Sequence, residues 1–182
     1  MKNDDLEKYC REIIDQGAEA AKVILPETVV TAPWVRFKCR YGCRSYGRKY
    51  SCPPETPTHH ETRELLDSYE RAILIHYAIQ PDEAGRRKKV WKGLSDRLVE
   101  TEGEIFKDGF YKALVFLAGP CGLCEECSKA KDEPCLFGRK MRPSMEACGI
   151  DVYQTARNNG FYIEPLLEKG ESQNIYCLML VD

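Results

Sequence analysis

The stretch Ala72-Ile73-Leu74-Ile75-His76-Tyr77-Ala78-Ile79 decides the fold. Its run of apolar and β-branched residues predicts a central strand. Downstream, Val90, Trp91, Leu94, Leu98, Thr101 and Ile105 recur at helical spacing, so a long helix is expected from about Asp82 to Lys107. Tyr111 to Leu117 then returns as a strand. Strand, helix, strand is a βαβ unit, whose two strands are expected to be parallel. The predicted fold class is therefore α/β, with α+β as the alternative. It is read as a single domain over residues 1–182 with a mixed sheet, one βαβ unit and two cysteine-rich metal-binding loops.

Working outward from that core, Leu6, Tyr9, Cys10, Ile13, Ile14 and Gly17 share one face of an amphipathic helix expected over Asp4 to Gly17. Strands are expected at Ala21 to Leu25 and at Trp34 to Lys38, the second running into Cys39. A short helix near His60 to Ser68 precedes the central strand. Towards the C-terminus, short helices are expected near Ser144 to Cys148 and Asp151 to Asn159, each with a cap before it and a glycine behind it. Strands at Phe161 to Glu164 and Ile175 to Val181 complete the pattern.

The 182 residues are 43% hydrophobic and 31% charged, with a formal net charge of -2, which is ordinary for a globular domain and gives no global attraction to nucleic acid. The start Met1-Lys2-Asn3-Asp4-Asp5 lacks the basic flank and apolar run of a secretion signal, and the chain has no apolar stretch of about 18 residues. A cytoplasmic location without membrane contact is expected. A reducing compartment disfavours structural disulfides, so the ten cysteines are read as metal or redox residues first.

Seven of those ten fall in two groups. Cys121, Cys124, Cys127 and Cys135 have the spacing C-x2-C-x2-C-x7-C. Two-residue gaps let a tight loop aim successive thiolates at one cluster, as in bacterial ferredoxins. Sets of four cysteines also hold structural zinc, but zinc modules more often pair two knuckles across a long gap, so iron–sulfur is preferred and zinc is the alternative. Cys39, Cys43 and Cys52 have the spacing C-x3-C-x8-C, with only three local thiols. The fourth ligand there is a distant cysteine, one exchanged with the other group, or absent, leaving an open iron able to take a substrate. Cys148 is the best distant candidate as an additional ligand. Cys10 and Cys177 lie on apolar stripes and read as small buried hydrophobes.

Around the first group Arg36, Lys38, Arg40, Arg44, Arg48 and Lys49 are interleaved with Trp34, Phe37, Tyr41, Tyr46 and Tyr50. Such a segment could bind single-stranded nucleic acid, but offsetting the negative charge of a thiolate-bound cluster is the preferred reading. His59, His60 and His76 form no spaced metal triad, and no Walker loop, dinucleotide fingerprint or H-E-x-x-H is present. The run Arg139-Lys140-Met141-Arg142 could dock an anion at the following helix N-terminus, but such a run is more often a solvated loop.

These residues resemble the domain of unknown function 2284, a cysteine-rich family of predicted metal-binding proteins. The resemblance is carried by Lys38-Cys39 to Cys52-Pro53-Pro54, Gly119-Pro120-Cys121-Gly122-Leu123-Cys124-Glu125-Glu126-Cys127, Pro134-Cys135, Arg142-Pro143-Ser144-Met145-Glu146-Ala147 and Gly149-Ile150-Asp151-Val152. It implies metal binding and assigns no activity. The expectation is one or two 4Fe–4S clusters on Cys39, Cys43, Cys52, Cys121, Cys124, Cys127 and Cys135, serving electron transfer with a redox partner protein. An open iron acting on a small-molecule substrate would instead make the chain an enzyme, and a zinc-stabilised interaction or nucleic-acid-binding module is the third reading.

Overall fold

The computed structural model describes residues 4–80, 87–168 and 171–182. The chain runs α1 (Asp4–Asp15), β1 (Ala20–Ile24), α2 (Pro33–Gly42), α3 (His59–Leu66), β2 (Ala72–Ile79), α4 (Arg87–Lys107), β3 (Leu114–Phe116), α5 (Val152–Asn158) and β4 (Gln173–Leu180). The start of the expected long helix, 82–86, lies outside the described residues.

The four strands form one sheet in the order β1-β2-β4-β3. β2 pairs with β4 along its whole length, from Ala72 opposite Leu180 to Ile79 opposite Gln173. The expected mixed sheet is corrected, because every neighbouring pair is antiparallel. β2 and β3 do run the same way, but the C-terminal strand takes the place between them. The cause is β4's own composition: from Ile175 to Leu180 it is buried throughout, so it needs a neighbour on each side and a cover on each face.

Alternation along β2 and β4 divides the apolar side chains between two cores. On one face Ile73, Ile75 and Tyr77 with Cys177 and Met179 pack beneath α1 and α4 through Leu6, Ile13, Leu98 and Ile105. On the other, Leu74 with Tyr176, Leu178 and Leu180 meets Leu66 of α3, Met145, Cys148 and Ala156 of α5. Full burial of such a side chain contributes about 1.5–3 kcal/mol. On α1 the expected stripe is corrected at Ile14, which is 41% exposed.

Two expected strands are absent. Trp34 to Lys38 belongs to α2, and Cys39 therefore sits in a helix rather than at a strand end. Pro33 occupies the first turn, where its fixed φ suits a helix and its missing N–H costs nothing. Only Val35 is buried, while Trp34, Phe37 and Tyr41 face outward, with Lys38 over the Trp34 ring and Phe37 beside Tyr41 at the four-residue helical spacing. Phe161 to Glu164 joins no strand: Ile163 packs into the second core, and the Tyr162 carbonyl accepts from the Tyr176 hydroxyl. No helix among the described residues is long and apolar enough to cross a membrane.

Candidate metal centre

Cys39 lies in the last turn of α2, and Cys43 follows as its C-cap, its N–H donating to the Cys39 carbonyl at 3.2 Å. From there the chain winds through close turns, with Gly47 N–H on the Pro53 carbonyl, Cys52 N–H on that of Lys49 and Glu55 N–H on that of Cys52. These turns bring Cys52 back to Cys39. Burial pushes the Cys39 thiol up, Cys43, Glu146 and Cys52 push the same way, and Arg36 opposes them. Burial likewise raises the Cys52 thiol, opposed by a hydrogen bond from Ser51 and reinforced by Cys43 and by Cys121 of the other group.

Arg36 holds this fold of chain together. Its Nη1 donates among the carbonyls of Thr56, Pro57 and Ala147 and the Thr56 hydroxyl, while that hydroxyl donates to the Ala147 carbonyl at 2.6 Å. One guanidinium thus ties α2, the Cys52 loop and the 3-10 turn Glu146–Cys148. Arg36→Met leaves the Thr56 and Pro57 carbonyls without this donor and the Ala147 carbonyl with the Thr56 hydroxyl alone, and a loss of roughly 2–4 kcal/mol is expected by urea denaturation. A loss under about 0.5 kcal/mol would refute that role for Arg36.

The second group follows β3. Cys121, Cys124, Cys127 and Cys135 all line one small cavity of about 20 Å³, whose remaining walls include Leu123, Phe137 and Met141. Cys127 is the N-cap of the 3-10 turn Ser128–Lys131, and Asp132 ends that turn in the left-handed region at φ 54° before the chain returns to Cys135. Burial raises the Cys121 thiol, offset in part by the Leu123 N–H and Lys49.

The loops that carry the two groups are stitched together. Lys49 Nζ donates to the Cys121 carbonyl, Ser51 Oγ accepts from the Cys121 N–H at 3.3 Å, and the Tyr50 hydroxyl donates to the Glu133 carbonyl at 2.8 Å. An ion pair of Lys129 with Glu55 closes the far side. Residues 49–51 also wall the cavity that holds the four thiols. Among the described residues no three His, Cys, Asp or Glu side chains are set to grip one metal ion. Four thiols do face one cavity whose other walls include apolar side chains, and sulfur is the donor type that soft metals prefer.

The other candidates sort differently. Cys148 is fully buried in the second core, its thiol pushed up to about 12 by burial, with Arg36 and Glu146 as its electrostatic neighbours. Cys10 and Cys177 are buried in the first core, as their apolar stripes imply. His76 stacks on Tyr176 at 4.8 Å and bonds Asn174, while His59 and His60 open α3. Arg142, from the run that could dock an anion or lie solvated, pairs through two nitrogens with Glu102, whose carboxylate also accepts from the Val115 N–H of β3.

Glu146 was not expected here. Its residue keeps some exposed surface, but Oε2 is closed off from solvent and has no partner among the described residues. Burial holds its carboxyl above the usual range, although its own N–H, the Ser144 hydroxyl and the Gly119 N–H all bond it. A lone glutamate between Met145 and Ala147 carries no signal in sequence; only the packing of α2 on its turn brings it to Cys39.

No curated protein and no solved structure matches the chain. The model of one family does, over residues 22–181, a span that takes in both cysteine groups, all of β2, β3 and β4 and the last three residues of β1. With thiols gathered by two stitched loops and that span matched, the chain belongs to the family described as Predicted metal-binding protein (DUF2284).

Proposed function

We propose that the protein is an iron–sulfur protein of electron transfer, with a 4Fe–4S cluster on Cys121, Cys124, Cys127 and Cys135 and a second metal site on Cys39, Cys43 and Cys52. The observation that carries this reading is the convergence of all four thiols of the C-x2-C-x2-C-x7-C segment on one cavity. Three cysteines at successive two-residue gaps with a fourth nearby are a cubane's ligand pattern. A cubane stores one electron at a time, and the surrounding residues set how easily it does so. Leu123, Phe137 and Met141 give that cavity apolar walls, and Lys49 brings a positive charge to it. The stitching of Cys52 to Cys121 favours two centres in electron contact.

A second reading for the first group rests on Cys43 and Glu146. Cys43 is exposed, and the buried Glu146 carboxylate acts on Cys39. Three thiols with a carboxylate beside them suit an iron with one exchangeable position, which would bind substrate as a Lewis acid.

Protein purified without oxygen is expected to be brown, absorbing broadly near ~400 nm with matching iron and acid-labile sulfide. About eight irons per chain mark two cubanes and about four mark one. Colourless protein with stoichiometric zinc overturns the reading.

A further inference from the structure

A larger cavity, of about 240 Å³, opens beside the thiols. It lies between α4 and the segment that leads from β3 into the Cys121 loop. Its apolar wall is formed by Trp91 and Val99 of α4 and by Leu117. The Trp91 ring is fixed there by edge contact with Tyr77 at 5.8 Å and by its Nε1–H on the Ala118 carbonyl at 3.2 Å. A flat, positioned aromatic wall suits an apolar body of ring size, and the volume is slightly below the roughly 300–1,000 Å³ usual for small-molecule sites.

The polar side of the cavity is unbalanced. Lys49, Lys92, Lys140 and Arg142 line it against the single carboxylate of Asp96. Two of these cations are already answered: Lys92 pairs with Asp96 at 2.6 Å, and Arg142 pairs with Glu102. Lys49 bonds the Cys121 carbonyl and stands near the thiols of Cys52 and Cys121 but has no carboxylate partner among the described residues, and Lys140 forms no ion pair there either. Among the described residues, two positive charges therefore face one cavity with no carboxylate paired to them, on the same side as an immobilised indole. An anion entering it would gain both, more strongly than on an open surface because the walls exclude part of the solvent.

We propose that this cavity binds a small organic anion, a carboxylate or a phosphate ester, with its flat apolar body against Trp91 and its charged head at Lys49 and Lys140. Cys121, Lys49 and Leu123 border this cavity and the thiol cavity alike, so the bound anion lies against the metal centre. It would meet the centre there as its small-molecule partner. The binding claim stands on the cavity and its charges, and holds whichever metal the thiols carry.

The test uses the metal-loaded protein with Trp34→Phe, which leaves Trp91 as the sole indole, and iron is assayed in the same sample. Benzoate and phenyl phosphate are titrated against Trp91 fluorescence, with benzamide and inorganic phosphate as probes lacking the charge or the ring. Saturable change with at least one organic anion is expected, at least tenfold tighter than either control and weakened by added salt. The tighter of the two names the head group. Lys140→Gln, an exposed position, and Lys49→Gln should each weaken binding about tenfold, near the ~1.4 kcal/mol of one charge-assisted contact. No saturable binding of either anion, equal affinity for benzamide, or an unchanged affinity in Lys140→Gln overturns the proposal. Because iron content is read separately, loss of the iron–sulfur reading alone leaves these outcomes decisive.

Discussion

Cys124→Ser combined with Cys127→Ser is expected to lower iron by about four per chain and to remove an equal amount of acid-labile sulfide. Serine keeps the shape of the side chain but not its chemistry, because its hydroxyl stays protonated at neutral pH whereas a metal-bound thiol is ionised. With two of four donors gone, Cys121 and Cys135 cannot hold a cubane. Both substituted residues are partly exposed and lie in the loop rather than in either core, so the secondary structure should be unchanged by far-ultraviolet circular dichroism. The corresponding pair Cys39→Ser and Cys52→Ser reports on the first group alone. Full retention of iron in the Cys124, Cys127 variant would refute the assignment of the Cys121 group.

Gly149→Ala is expected to destabilise the protein by roughly 3–5 kcal/mol, combining the left-handed backbone penalty with overpacking. At φ +80°, a Cβ on residue 149 would stand 2.7 Å from His59 Cβ and 3.0 Å from His59 Cα. The backbone cannot retreat, since the Gly149 carbonyl accepts from Ala32 N–H at 2.9 Å and its own N–H donates to Glu146 at 3.0 Å. One methyl group would therefore push apart the start of α3, the entry to α2 and the turn that carries Glu146. The thermal midpoint should fall by roughly 10 °C, and metal content at the first group should fall with it. Gly103→Ala is the control: it lies within α4 with open space around its Cβ, and a gain of about 0.5–1 kcal/mol is expected. A Gly149→Ala protein as stable as the parent would contradict the close approach to His59.

β2, β4, α1 and the described part of α4 were legible because each buries a stripe or a run long enough to show its period. α2 was misread because Trp34, Val35 and Phe37 have the composition of a strand, and the opposing signal, Pro33 at a helix start, is a single residue. The sheet order was hidden for a different reason: β4 arrives from nearly a hundred residues downstream of β2, and nothing local to either says that they pair along their full length. Spacing alone grouped Cys121, Cys124, Cys127 and Cys135, which the fold places around one cavity. The stitching of the two loops was not legible, because Lys49, Tyr50 and Ser51 reach for backbone atoms, and backbone acceptors leave no trace in residue identity. Arg142 shows the same limit, its partner Glu102 being forty positions away on another element.

The distribution of the cysteines has a consequence for the order in which this protein is made. Cys10 and Cys177 belong to one core and Cys148 to the other, while the seven residues of the two groups belong to neither. If those seven hold metal as proposed, the chain is expected to complete its sheet first and to be loaded afterwards, as a folded acceptor. Anaerobic chelation should then leave the amides of β2 and β4 as slow to exchange as before, while those of 121–135 lose their protection. On the proposed reading, a cell could hold this protein as a stable apo-form and fill it only when its metal is to hand.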